Sequence, residues 1–429
     1  MITLARRPAT TDAPARRGLL RRNRDFRLLY LGEVTGKFGS SLTGLALPLI
    51  AATVLHTGPL GVSALTAATW LPWLLIGLPA GAWVDRLPRR TVMLCSAAAS
   101  LLLYLTVPVA GALGLLGYPQ LIAVAFCAGT SSVFFQTAYT ALLPAVVDAA
   151  DRGEGNAKLH GSASAAQLVG LGSGGTIAQL LGPVNSLLAN TVTFLLSLLC
   201  TSRIKAREER PAAAPRNLRQ EVGEGLRLVL GDPWLRTFLC FGGLSNLALT
   251  AYQSIQVVYL LDQAKLSQDL IGTLIAAAGL GGILGAAVAR RVGTALGTAR
   301  AMLLFQLVLP TLVLLIPLTA PGLGTVCYLV GGMAVSAGVV AGNVLRATFN
   351  QRYVPADLLG RISATTAVVV YGTMPLGALL AGVLGQTLGL EPAMWVSCAG
   401  VPLAALALLL SPVRRQRDLP ERPMAAPVR

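Results

Sequence analysis

Charge is scarce in this chain. Only 12% of its 429 residues are Asp, Glu, Lys or Arg, well under the roughly 25% of a soluble globular domain. Apolar residues make up 54% and mean hydropathy is +0.67. That balance excludes a soluble domain and leaves a polytopic membrane protein, in which about 20 apolar residues make one span. Histidine is nearly missing: His56 and His160 stand alone, with no His-Glu zinc motif and no G-x-S-x-G nucleophile turn. No lysine is followed by Ser or Thr, so no phosphate-binding loop and no ATP hydrolysis are expected. The six cysteines are isolated in apolar runs without a C-x-x-C pair, which argues against zinc and disulfides and for simple packing. No nucleophile-base constellation is visible, so neither an enzyme nor a cofactor or metal is expected.

The charge that is present is one-sided. The net +16 does not point to nucleic acid, because of where the cations lie. All Lys and Arg residues except Lys37 and Lys265 are assigned to the two tails or to every second loop. The loops around His56, Gly114 and Gly182 contain none. This is the positive-inside pattern of an even number of spans with both ends cytoplasmic. Residues 1–27, with eight arginines against two aspartates, read as a cytoplasmic tail beside anionic lipid.

Twelve apolar runs follow, at 28–54, 61–84, 91–113, 119–146, 159–182, 184–202, 234–261, 268–289, 299–319, 322–350, 358–388 and 391–412. The expected fold is therefore an all-α polytopic membrane protein. Its twelve transmembrane helices form two pseudo-symmetric halves, 28–202 and 234–412. A basic linker at 203–233 joins them, and a cytoplasmic tail occupies 413–429. Part of the linker, Leu218 to Leu230, has the pattern of an amphipathic helix lying on the membrane. Two short echoes suggest a parallel repeat. Leu143-Pro144 is answered by Val354-Pro355, and Gly81-x-x-x-Asp85-Arg86 by Gly285-x-x-x-Ala289-Arg290.

Between the second and third runs lies a knot of charge, Gly81-Ala-Trp-Val-Asp85-Arg86-Leu-Pro88-Arg89-Arg90, read as a short loop at the membrane surface in which the glycine ends the helix or packs closely. It resembles the first signature loop of the major facilitator superfamily, with Pro88 where that family often has glycine. The resemblance implies that Asp85 latches the halves together on the cytoplasmic side by facing the N-terminus of span 11. Asp357 is a candidate cap there. In span 5, Gly170, Gly172, Gly174 and Gly175 resemble the glycine-rich motif of drug antiporters, with Leu171 in place of its proline; small residues also serve plain close packing. Leu20-Arg-Arg-Asn-Arg-Asp-Phe-Arg-Leu-Leu29, the Gly39–Pro48 segment and Gly360-Arg361 resemble the macrolide and siderophore exporters of the superfamily.

Glu33 and Lys37 lie one helical turn apart inside the first span, where charge is costly. Three readings stay open: Glu33 as proton-coupling carboxylate, the pair as a neutralised structural bridge, or Lys37 as a partner for an anionic substrate. In this superfamily spans 1, 4, 7 and 10 line the cavity. Gln136, Tyr139, Asn246, Tyr252, Gln256 and Asn343 are therefore candidate lining residues, together with Tyr371. The expected activity is proton-coupled efflux of a small organic compound by a monomer in a bacterial plasma membrane. An importer or lipid-handling transporter of the same fold, or a non-transporting receptor, are the alternatives.

Overall fold

The computed structural model describes residues 19–147, 151–205 and 218–420. Residues 1–18, 148–150, 206–217 and 421–429 lie outside the described residues. A helical segment stands at each of the twelve expected places. They are α1 (Arg24–Leu49, continued by a π-helical turn Ile50–Val54), α2 (Pro59–Arg86), α3 (Arg89–Ala112), α4 (Tyr118–Val146), α5 (Arg152–Leu181) and α6 (Ser186–Ser202). Then come α7 (Pro233–Asp262), α8 (Gln268–Leu296), α9 (Thr298–Leu318), α10 (Thr325–Tyr353), α11 (Ala356–Thr387) and α12 (Leu390–Leu409). Among the described residues nine are long and apolar enough to cross a membrane by length and composition. The others are α6, which is short at 17 residues, α5, rich in Gly and Ser, and α7, which carries Asn246, Gln253 and Gln256. The linker holds a helix at Leu218–Gly231 that packs on α7 and α11.

Several helix ends differ from the sequence expectation, and the reason is common to them. Arginine reaches the interface along its own stem, so a helix need not stop where charge begins. Gly81 to Arg86 thus belong to α2, and the turn to α3 is only Leu87 and Pro88. Gly81 lies inside the helix rather than at its end, and no described atom lies within 4 Å of a Cβ there. Arg290 and Arg291 likewise sit inside α8, and Asp357 falls in the first turn of α11, whose cap is Pro355. The two sequence echoes are out of register. Pro144 is inside the last turn of α4 while Pro355 lies beyond the end of α10. α9 is irregular, α-helical to Leu303, then a π turn and a 3₁₀ stretch from Leu309. Pro310 explains the break, since it lacks the N–H and clashes with the carbonyl one turn earlier.

The packing repeats. In the first half α1 packs on α5 and α6, α4 on α2 and α3, and α3 on α6. In the second, α7 packs on α11 and α12, α10 on α8 and α9, and α9 on α12. The helix starts repeat too. Asn23 caps α1 by accepting from Phe26 N–H at 2.9 Å, and its amide donates to the Val146 carbonyl at the end of α4 at 2.7 Å. Asp232 caps α7 through Trp234 and Leu235 N–H, both at 2.9 Å, and accepts from Tyr353 Oη at the end of α10 at 2.7 Å. Each cap satisfies orphan helix donors and fixes the entry of one helix against the exit of another.

The halves meet chiefly through α2 on α11 and α5 on α8. Where α5 crosses α8 only glycine fits. A Cβ at Gly175 would stand 2.3 Å from the Gln268 carbonyl oxygen, and one at Gly272 would stand 2.8 Å from the Gly175 nitrogen. On the same side of the molecule, Ser63 of α2 donates to Ser254 of α7 at 3.3 Å, both buried. These contacts close the side that carries His56, the face opposite Asp85.

After α12 the chain turns back. Val413 and Leu419 are buried. The Arg417 carbonyl accepts from Ala299 N–H at 3.0 Å, and Asp418 accepts from Thr298 N–H at 2.8 Å. Leu419 N–H donates to Thr298 Oγ1 at 2.8 Å. This stretch of the expected tail is a clasp on the α8–α9 turn, where Gly297 adopts φ +95°.

Candidate functional site

α1 turns two faces inward. One packs on α5 and α6. The other carries Glu33, Lys37, Ser40 and Gly44 at helical spacing, with Ser40 and Gly44 exposed. Glu33 is 6% exposed. Lys37 lies 3.7 Å from its Oε1 and donates to Gln136 Oε1 of α4 at 3.3 Å. Tyr139, one turn further along α4, is buried and within electrostatic reach of Glu33. The four sequence candidates Glu33, Lys37, Gln136 and Tyr139 therefore form one cluster between α1 and α4. A carboxylate in this setting has two competing influences: burial favours its protonated form and the ammonium its charged form.

The second half carries a matching position with different chemistry. Counted from their caps, Glu33 and Gly242 are both tenth, and Lys37 and Asn246 both fourteenth. α4 and α10 each have 29 residues, in which Gln136 and Asn343 are both nineteenth and Tyr139 and Arg346 both twenty-second. Arg346 was not singled out in the sequence; its charge was absorbed into the cytoplasmic cations. It lies inside α10, about 10 Å from the helix end at 1.5 Å per residue, and its Nη2 donates to Asn343 Oδ1 at 2.8 Å. Its Nη1 lies over Gly242, 3.3 Å from where a Cβ would be. Asn246 donates to the Gly242 carbonyl of its own helix at 2.9 Å.

Tyr371 of α11 joins the halves. It stacks on Trp70 of α2 with ring centroids 6.0 Å apart and tilts against Trp73 at 5.0 Å. It is also within electrostatic reach of Arg346. The two tryptophans were missed by sequence reasoning, since a pairing between distant helices leaves no periodic signal. Tyr252 and Gln256 are not brought to this region: Tyr252 is buried in the core of the second half, and Gln256 accepts from Tyr328 Oη at 3.2 Å.

The glycine motif serves two neighbours. Gly170 faces the Phe38 carbonyl and Ser41 of α1, Gly174 faces Leu42 and Leu45, and Gly175 faces α8. The side chains of Asp85 and Asp357 lie outside the described residues. Arg90 donates to the Ser202 carbonyl, which ties the start of α3 to the end of α6. Of the six cysteines only Cys398 is buried; Cys95, Cys127 and Cys240 are exposed on outer helix faces, so packing in the core does not account for them. Among the described residues no group of three or more His, Cys, Asp or Glu side chains is placed to hold a metal ion.

The chain is similar to the multidrug efflux pump Tap of Mycolicibacterium fortuitum, at 27% identity over 414 residues, 92% of this chain and 98% of that protein. It is also 27% identical over 432 residues to the enterobactin exporter EntS of Escherichia coli O1:K1 / APEC, covering 95% and 97%. Among solved structures it resembles a bacterial homologue of the iron transporter ferroportin. The TM-score is 0.72 for that protein's inward-facing state, at 16% identity over 92% of this chain and 99% of the other. It is 0.60 for the outward-facing state, at 18% identity over 91% and 100%. The family model described as Major Facilitator Superfamily matches residues 29–378, and this all-helical, multi-pass membrane protein belongs to that superfamily.

Proposed function

We propose that the protein is a secondary active transporter that exports small organic compounds from a bacterial cell across the plasma membrane, in exchange for protons. The observation that carries this reading is Glu33: a buried carboxylate at membrane depth, paired to Lys37 on a polar helix face. Charge so placed is costly and is kept where it serves transport. Export is supported by the likeness to Tap and EntS along nearly the whole chain. The concentration of cations on the Asp85 side supports cytoplasmic termini. The contacts of α5 with α8 and of Ser63 with Ser254 on the His56 side support an inward-open reading.

Alternating access then proceeds by rocking the two six-helix halves about the contacts of α2 with α11 and α5 with α8. In the outward-open state Asp85, flanked by Gly81, Arg86, Arg89 and Arg90, docks on the first turn of α11 near Asp357, where the helix dipole favours an anion. The protein works as a monomer without a cofactor.

The test uses inside-out vesicles containing the protein, energised to an acidic lumen, with a fluorescent probe of the pH gradient. Adding a transported compound releases protons in the wild type, and Glu33→Gln abolishes that release. Full proton release by the Glu33→Gln protein removes Glu33 from the coupling role.

A further inference from the structure

The charges at membrane depth do not balance. Glu33 and Lys37 offset one another in the first half, but Arg346 stands in the second with no carboxylate partner among the described residues. Among the described residues its one hydrogen bond is to Asn343, although a guanidinium carries five N–H donors in a planar fork. An arginine this deep in a membrane helix is costly unless something anionic meets it. Lysine would supply only a compact point charge here; the planar fork of arginine suits two parallel bonds to one carboxylate or phosphate. The site is also shaped around the guanidinium. At the register position where the first half places Glu33, the second half has Gly242, where a Cβ would press on Val370 Cγ2 at 3.1 Å and on Arg346 Nη1 at 3.3 Å. Beside it, Tyr371 and its tryptophan partners Trp70 and Trp73 offer a flat apolar wall contributed by both halves.

Resting on the exporter reading, we infer that Arg346 anchors an anionic group, a carboxylate or phosphate, of the transported compound, whose apolar body lies along the Tyr371 wall. The protein is thus an exporter of organic anions. Proton site and anchor lie in different halves, so each can be lost without the other. The repeat has kept one scaffold and given one copy a neutralised ion pair and the other an unmatched cation.

Binding to purified protein in phosphatidylcholine nanodiscs tests this without relying on flux. The probes are matched pairs of aryl carboxylates and their methyl esters, and of aryl phosphates and the parent phenols. The expected result is at least one acid binding tenfold or more tightly than its neutral counterpart. That preference falls to about onefold in Arg346→Gln and persists in part in Arg346→Lys. Thermal unfolding of each variant checks that it is folded. The inference is overturned if no acid binds more tightly than its neutral partner, or if the preference survives Arg346→Gln. Nanodiscs containing phosphatidylglycerol distinguish a lipid from a solute: loss of acid binding there assigns the anion to a lipid headgroup and overturns the solute reading. Failure of the exporter reading shows separately, as bound acids that produce no proton release in wild-type vesicles.

Discussion

Asp232 makes three hydrogen bonds from one carboxylate, two to the start of α7 and one from Tyr353. Removing it leaves orphan donors at a helix entry and frees the end of α10. Asp232→Ala should therefore cost about 1–2 kcal/mol, the upper range for a helix cap, and lower the thermal unfolding midpoint measured in detergent. Tyr353→Phe should cost less, since the cap itself remains. At this scale the sequence was legible for isolated charge in apolar context and poorly legible otherwise. Glu33 and Lys37 stood out because no other acid-base pair lies so far from a span end. Arg346 did not, because a cation two turns from a helix end reads as part of the neighbouring basic loop. Tyr252 was misplaced because helical spacing gives a face but not which face is covered.

At the scale of helices, α5 and α8 approach through backbone rather than side chains at Gly175 and Gly272. Gly272→Val pushes its added methyls into α5 and should open the His56 side. A cysteine placed at Ser63, in a background without the six native cysteines, reports this. It should resist a membrane-impermeant thiol reagent applied from outside and become reactive when Gly272→Val is added. Equal protection in both proteins would show that the crossing tolerates the wedge. Helix number and order were readable because an apolar run of about 20 residues has few other fates. Boundaries were less so, since arginine stems extend α2 and α8 past the first charge. The break in α9 follows from Pro310, but the length of its π and 3₁₀ stretches depends on the packing of α10 and α12 against it.

For the molecule as a whole, the Ser63–Ser254 contact links the halves on one side only. Replacing both, Ser63→Cys and Ser254→Cys, in the cysteine-free background should allow a disulfide on oxidation. Such a bond holds the His56 side shut and should stop transport, which a reductant restores; transport that continues while the bond is intact would show that the halves do not separate there. If an anion leaves as a proton enters, each cycle moves two charges in the same electrical sense. An imposed inside-negative potential should then accelerate export, at about 2.3 kcal/mol per charge per 100 mV. The repeated packing and caps make the two halves alike, and only the folded chain reveals it, since the sequence echoes fall out of register. A further asymmetry is the clasp of Arg417, Asp418 and Leu419 on the turn at Gly297 and Thr298. It bears on how the protein can be handled: a reporter spliced in directly after Ser411 would strip the second half of a strap, whereas one attached beyond residue 420 leaves the strap tied.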